Sequence, residues 1–337
     1  MSTLRLPHEA VRGLFAIMPT PALQGADDPA MVDTLDRAET ARAAEALVSD
    51  GVDAVMSTGT FGECATLTRE ELRDFVDILV TTVAGRVPVL AGATTLNTRD
   101  TIARAKELRD LGVDGLLLGR PMWAQCDDVN LVAFYRDVAE AVPDLALMVY
   151  DNPEAFKGKI STEAYAELAQ IPQVVAAKYP VYGPQFASDL QAVAGRVRLL
   201  PVDRDWTTAY ELDPSEVLAC WSGSVSCGPA PHLELRDRLL RGDLEGARDV
   251  ASDLGAASQG FFPDGSFALF SRYNIQLEKI RINAAGYIDA GPCRPPYVHC
   301  PGDYADGARV SAQRFAQLDA DYRAVDRSGA TVAGGRS

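Results

Sequence analysis

The sequence predicts an α/β protein: a closed (β/α)8 barrel, of the TIM type, carrying a C-terminal helical extension. Three observations lead there. Short apolar runs without a helical stripe recur eight times, at intervals of about 20 to 40 residues. Amphipathic patterns fill the gaps between them. The motif Leu-x-x-x-Gly-Val-Asp occurs twice, at 47–53 and 108–114, and reads each time as a helix end, a glycine cap and a strand start. Eight such strands favour a closed barrel over an open doubly wound sheet, and no Gly-x-Gly-x-x-Gly follows the first strand to suggest a dinucleotide site.

The strands fall at 13–18, 54–57, 88–91, 115–118, 145–150, 174–178, 198–202 and 217–221. Thr68 followed by Glu70 and Glu71 is a capping signal, and Leu72, Phe75, Val76, Leu79 and Val83 continue it at helical spacing. A second helix spans 98–111 and stops at Gly112. After Trp221 the chain reads as helices at 231–240, 243–257, 266–285 and 301–324. The expected organisation is a barrel over 1–240, a helical extension over 241–325 packed on it, and a flexible tail over 326–337, rich in Gly, Ser, Thr and Ala.

Composition narrows the class of function. Apolar residues make up 47% and charged residues 23%, an ordinary balance for a globular enzyme. The net charge of -15 disfavours nucleic acid and anionic membranes as partners, and an anionic substrate would need local help to bind. No apolar run approaches the roughly 20 residues of a membrane span, and no basic region followed by a hydrophobic core opens the chain, so a cytoplasmic protein is expected. The six cysteines and three histidines show neither a Cys-x-x-Cys pair nor zinc-site spacing, so no metal is expected.

The chemistry centres on Val174-Val175-Ala176-Ala177-Lys178. Alternation along a strand sets Val174, Ala176 and Lys178 on one face, and the small partners leave the amine room to reach a cavity. An amine held against apolar walls loses hydration, which lowers its pKa and yields the neutral nucleophile that imine chemistry requires. Strand-end lysines are more often solvated surface residues, so company decides the matter. Tyr150 ends the adjacent strand and would open into the same cavity, where a phenol can relay protons; a tyrosine there can also simply close the core. Gly59 and Gly62 flank Thr60 and Phe61 in the loop after the second strand, a pattern that turns backbone N–H groups inward to hold a carboxylate. In the stripe Phe267, Phe270, Asn274, Leu277, Ile280 a single amide interrupts an apolar face, and burying it is costly unless it is bonded. Asn274 could orient water or a substrate oxygen, or else set register at a subunit contact. His232 and Tyr182, near strand-end loops, read as structural.

The Gly59-Thr60-Phe61-Gly62-Glu63 loop, Tyr150-Asp151-Asn152-Pro153 and Lys178, with Met18-Pro19-Thr20-Pro21 after the first strand, resemble the dihydrodipicolinate synthase and N-acetylneuraminate lyase superfamily. The resemblance implies a Schiff-base (class I) pyruvate aldolase on a (β/α)8 barrel, with Lys178 and Tyr150 catalytic. Three departures narrow the branch. Phe61 stands where the dihydrodipicolinate synthases carry a second threonine, Ala155 where they carry an arginine, and Pro121-Met122-Trp123 replaces Pro-Tyr-Tyr. With Asn152-Pro153-Glu154-Ala155-Phe156-Lys157 and Gly291-Pro292-Cys293-Arg294-Pro295-Pro296-Tyr297, these segments look like the hydratase-aldolases of polycyclic aromatic degradation. Those act on arylidene pyruvates such as trans-2'-carboxybenzalpyruvate or trans-o-hydroxybenzylidenepyruvate, and the first is the expected substrate here. The resemblance then implies that Thr60 and Phe61 hold the keto-acid carboxylate, that Trp123 walls the aromatic ring, that Asn274 faces the site, that no cofactor is used, and that the protein is a homotetramer. A sugar-acid lyase or dehydratase would want hydrogen-bonding side chains where Phe61 and Trp123 stand. A non-catalytic keto-acid-binding barrel remains a third reading.

Overall fold

The structure, a computed structural model, describes the backbone of residues 3–333 and the side chains of residues 3–324. Eight parallel strands form the barrel: β1 (Gly13–Ile17), β2 (Ala54–Ser57), β3 (Val89–Gly92), β4 (Gly115–Leu118), β5 (Ala146–Tyr150), β6 (Val174–Lys178), β7 (Arg198–Leu200) and β8 (Ala219–Ser222). They pair in the order β7-β6-β5-β4-β3-β2-β1-β8, and the isolated bridge between Val202 and Trp221 closes the ring. Apart from the half-buried Trp221, every strand residue is buried, as expected where helices cover the outside of a barrel and side chains fill its centre.

The covering helices are α1 (Arg37–Asp50), α2 (Arg69–Val83), α3 (Thr98–Leu111), α4 (Asp128–Ala141), α5 (Thr162–Leu168), α6 (Pro184–Val193), α7 (Trp206–Leu212) and α8 (Ala230–Leu240). Thr68 and Glu71 form the expected reciprocal cap on α2. The repeated motif has a physical explanation beyond the glycine caps at Gly51 and Gly112, which adopt φ of +103° and +100°. Its two aspartates do the same work in neighbouring units: Asp53 accepts the Leu14 N–H at 2.8 Å and Asp114 accepts the Val89 N–H at 2.9 Å, each pinning the start of the adjacent strand.

The C-terminal segment supplies α9 (Leu244–Ala257), α10 (Phe267–Ser271), α11 (Asn274–Ala285) and α12 (Gly302–Ala333). The expected single helix at 266–285 is two helices. Tyr273 leaves helical angles (φ -128°, ψ 24°) and its ring packs edge-on against Tyr304, 5.7 Å between centroids, so Asn274 begins a helix instead of interrupting one. Phe261, Phe270, Leu277 and Ala308 form a small second core beneath this break. The α12 helix packs on α8, α9 and α11 and runs through Ala333, into the stretch read as a tail; residues 334–337 lie outside the described residues.

One glycine marks where the barrel supports the loop that matters most. A Cβ on Gly92 would stand 1.9 Å from the Thr58 carbonyl oxygen, while the Gly92 N–H donates to Thr58 Oγ1 at 2.6 Å. Thr58 itself sits at φ +55°, a conformation uncommon outside glycine, and opens the turn carrying Thr60 and Phe61. Gly92→Ala is expected to cost about 1–3 kcal/mol in urea unfolding, because backbone and not a flexible side chain must yield. An unchanged unfolding midpoint would show that the turn can shift freely.

Candidate active site

Lys178 and Tyr150 end adjacent strands and are direct partners in the β5–β6 register. Lys178 is only 7% exposed. Its Nζ lies 3.4 Å from the centroid of the Trp221 ring and 4.8 Å from that of Tyr150, so aromatic faces replace most of its water. Burial lowers its pKa from 10.5 to about 7, against the opposing pull of the Asp151 and Glu278 carboxylates. Near neutrality a substantial fraction of this amine is therefore unprotonated. Burial also pushes the Asp151 carboxyl up to about 6.

The Tyr150 phenol is buried too, which raises its pKa and keeps it a proton donor at neutral pH. Its hydroxyl shares a hydrogen bond with Thr60 Oγ1 at 2.7 Å and accepts one from Asn152 Nδ2 at 3.4 Å. The ring is held edge-on by Phe156, with centroids 5.3 Å apart. Among the described residues, no backbone carbonyl accepts from the N–H groups of Thr60 or Phe61. The loop thus offers main-chain donors beside the amine and the phenol, the arrangement a carboxylate needs in a protein of net negative charge.

The third side of the cavity comes from α11. Asn274 and Glu278 lie one turn apart and so project together. Asn274 Oδ1 is buried and meets no hydrogen-bond partner among the described residues. Glu278 is buried with its pKa raised by desolvation, and it pairs with Arg281 at 2.5 Å; the Arg281 guanidinium lies 3.8 Å from the Phe261 ring centroid. An orphan amide oxygen beside a buried carboxylate can orient and deprotonate a water molecule.

What fixes α11 against the barrel is a buried ionic cluster. Glu63, at the end of the Thr60–Phe61 turn and at φ +57°, is wholly buried. It receives Lys279 Nζ at 2.7 Å and the Arg294 guanidinium, and the Arg294 N–H at 2.8 Å. Arg294 also donates to Thr34 Oγ1 at 2.6 Å and to the Thr20 carbonyl at 3.2 Å.

One cavity is therefore lined by Lys178, Tyr150, Thr60, Phe61 and Asn274 together. Trp123 does not join them: it is 81% exposed, with Lys157 Nζ donating to its carbonyl at 2.7 Å. Trp221, at the end of β8, supplies the aromatic wall over the amine instead. Glu278, Trp221 and the pair Asp203 and Ser224 line the cavity without having been singled out from sequence. Trp221 was legible in principle as the aromatic residue ending the eighth strand; Glu278 read as an ordinary charged helix position. His232 lies behind the wall, its Nε2 3.0 Å from Ser224 Oγ and 3.2 Å from Asp203 Oδ2; His232, the Ser222 hydroxyl and the Arg204 charge hold the Asp203 carboxyl well below the usual range despite its burial. A second cavity, shared through Gly59, Thr60, Tyr150 and Asn274, extends past Met122, Phe156 and Arg272. Among the described residues no group of three or more His, Cys, Asp or Glu side chains is arranged to hold a metal ion. The six thiols are free, and burial raises their pKa values, to about 11 for Cys64 and about 12 for Cys227 and Cys293.

Comparison with known proteins adds to this geometry. Residues 26–189 match the dihydrodipicolinate synthetase family. The chain is 46% identical over 326 residues to the trans-o-hydroxybenzylidenepyruvate hydratase-aldolase of Pseudomonas aeruginosa, covering 96% of this chain and 97% of that one. It is 48% identical over 318 residues to the trans-2'-carboxybenzalpyruvate hydratase-aldolase of Nocardioides sp. (strain KP7), covering 94% and 96%. The solved structure of PhdJ bound to a substrate intermediate shares 51% identity and a TM-score of 0.93, over 94% of this chain and 99% of that one.

The depressed lysine has a thermodynamic consequence. Its folded pKa of about 7 lies below its ordinary 10.5, so folding must expel a proton between those values and stability rises with pH through that window. Lys178→Met removes this cost. Its Tm is expected to exceed the parent's at pH 7, with the difference shrinking towards pH 10; a variant less stable at both pH values would show that the amine is well solvated in the folded state.

Proposed function

The chain belongs to the dihydrodipicolinate synthetase family, and from that membership we propose that it is a Schiff-base hydratase-aldolase of aromatic hydrocarbon breakdown. It converts an arylidene pyruvate and water to an aromatic aldehyde and pyruvate, with trans-2'-carboxybenzalpyruvate as the favoured substrate. The single observation that carries this reading is the partly neutral, buried Lys178 in register with Tyr150 and lining one cavity with the orphan amide of Asn274. The near-equal identity to a relative named for the ortho-hydroxy substrate keeps trans-o-hydroxybenzylidenepyruvate as the second reading.

In the proposed reaction, neutral Lys178 attacks the ketone of the keto acid while the main chain at Thr60 and Phe61 holds its carboxylate. Tyr150 donates a proton to the departing hydroxyl, and water leaves as the iminium forms. Conjugation carries the positive charge to the benzylic carbon. Water held by Asn274 adds there and passes a proton to Glu278, whose carboxylate Arg281 keeps available. Protonation of the neighbouring carbon gives a β-hydroxy iminium. Tyr150, now a phenolate, takes the hydroxyl proton, the bond between the two carbons breaks, and its electron pair flows into the iminium as the aldehyde departs. Proton return to the enamine and hydrolysis release pyruvate and Lys178. The sum is one water consumed per carbon-carbon bond broken.

Borohydride added with pyruvate should leave a reduced adduct on Lys178, and the trapping rate should rise with pH and level off above about 7 as the amine deprotonates. Tyr150→Phe should lower turnover by about 10²- to 10⁴-fold, the usual worth of a lost acid-base group. Intact mass showing no adduct, or full turnover in Lys178→Ala, would remove the mechanism.

The protein is further proposed to be a cytoplasmic homotetramer. No helix among the described residues is long and apolar enough to cross a membrane, and the large exposed apolar side chains Leu96, Trp123 and Val129 favour a partner surface. Light scattering at micromolar concentration is expected to give four times the chain mass of 36.1 kDa; a monomer mass would end this part of the reading.

A further inference from the structure

The reaction proposed above creates a cation on the Lys178 nitrogen inside a cavity that excludes most water. An amine can shed its charge by losing a proton; the iminium must keep its charge to remain an electron sink. Burying such a cation is costly unless a carboxylate stands near it. Asp151, Asp203 and Glu278 all line that cavity, and two of them are committed elsewhere. Asp203 accepts from Ser222 at 2.5 Å and from Ser224 at 3.0 Å beside His232. Glu278 is paired with Arg281 at 2.5 Å. Asp151 is different. Its Oδ2 accepts from the Tyr165 hydroxyl at 3.2 Å, whereas its Oδ1 is buried and meets no hydrogen-bond partner among the described residues. It directly follows Tyr150, the register partner of Lys178.

The layer behind the strands fixes this carboxyl and the amine together. Tyr165, on α5, stacks on Tyr179 with centroids 6.0 Å apart, and the Tyr179 hydroxyl donates to Asp189 of α6 at 2.8 Å. The Tyr179 carbonyl accepts from Trp221 Nε1 at 2.8 Å, which sets the indole over the amine. Arg120, after β4, favours the Asp151 carboxylate by its charge, yet its guanidinium donates to the Cys126 and Gly158 carbonyls and not to Asp151. The other titratable groups around Asp151 are Lys178, Asp189 and the phenols of Tyr135, Tyr165 and Tyr179; Lys178 itself meets Tyr150 and Glu278 as well. Burial depresses the lysine, and of the two carboxylates that oppose it Asp151 acts more strongly than Glu278.

We propose that Asp151 is the counter-ion of the Schiff base, a positioning residue that acts through the Lys178 nitrogen and whose unshared oxygen balances the charge of the iminium. The proposal rests on the Schiff-base reading and deepens it. Ammonium and iminium place one positive charge on the same nitrogen, so a carboxylate that favours the first favours the second. Removing it therefore has two opposite effects: the free amine becomes neutral at lower pH, yet the adduct it forms is less stable.

The experiment is borohydride trapping with pyruvate, read by intact mass over about pH 5 to 9. In Asp151→Asn the trapping rate is expected to level off about one pH unit lower than in the parent. At about pH 8 the pyruvate concentration giving half-maximal adduct should rise about tenfold, and the two proteins should converge towards about pH 5, where the parent's own carboxyl, pushed up to about 6 by burial, is protonated. Asp189→Asn removes a buried carboxylate already held by Thr162 and Tyr179 and should behave as the parent. An unmoved midpoint, a midpoint displaced upward as in a solvated site, a loss of adduct equal at every pH, or the same shift in Asp189→Asn would each overturn the counter-ion. If Asp151→Asn fails to fold, Tyr165→Phe decides: with its donor gone the Asp151 carboxyl ionises less readily, so the amine midpoint should again fall, and an unmoved midpoint would overturn the proposal. A parent that forms no adduct with pyruvate would instead remove the Schiff-base reading itself, and the counter-ion with it.

Discussion

The carboxylate of Glu63 is the constraint on which the rest of the site depends. It is wholly buried, and a lone charge there would cost several kcal/mol of lost hydration. Lys279 and Arg294 offset that cost, and they come from stretches of chain more distant in sequence than any barrel neighbour. Since neither cation can leave without stranding the other charge, the Thr60–Phe61 turn, the α11 helix and the loop after it are locked in one arrangement. Removing one partner of such a cluster typically costs about 3–5 kcal/mol, more than most single contacts are worth. The energy is spent on position: Lys279 adjoins Glu278, and Asn274 lies one turn away.

Around that lock the cavity divides its electrostatics. On one side burial strips water from Lys178 and favours the neutral amine; on the other it strips water from Tyr150 and favours the protonated phenol. The same physical effect thus produces a base and an acid on neighbouring strands, because the two groups carry their charge on opposite sides of their titrations. The overall charge of -15 works against any keto acid entering, and in the proposed reaction main-chain donors at the Thr60–Phe61 turn, rather than extra side-chain cations, meet it.

Much of this was legible in the chain. The eight strands and the barrel follow from short buried runs separated by capped helices, and the strand-end placement of Lys178 and Tyr150 follows from alternation alone. The repeated Gly-Val-Asp looked like a helix stop and proved also to be a strand anchor, since an aspartate accepting a neighbour's N–H leaves no trace in periodicity. The C-terminal part was harder. A stripe of apolar residues from Phe267 to Ile280 cannot reveal that Tyr273 breaks the helix to pack on Tyr304. Gln276, Glu278, Lys279 and Arg281 look solvated on a helical wheel, yet all are buried because their partners arrive from the barrel turn, from the loop after α11, or from within the helix. Trp123, in the loop between β4 and α4, is exposed, while Trp221, on β8, stands over the amine: a strand position brings an aromatic to the barrel's centre where a loop position does not.

The helices after the barrel do more than cover it. The amine and the phenol reside on β6 and β5, whereas the amide and carboxyl that confront them belong to α11, joined to the strands chiefly through one ionic lock. In the proposed mechanism, making the covalent adduct and choosing what attacks it are consequently written on separable stretches of the gene. An ancestor could have exchanged the later stretch, keeping its electron sink intact, and so traded one incoming reagent for another without reinventing the catalyst.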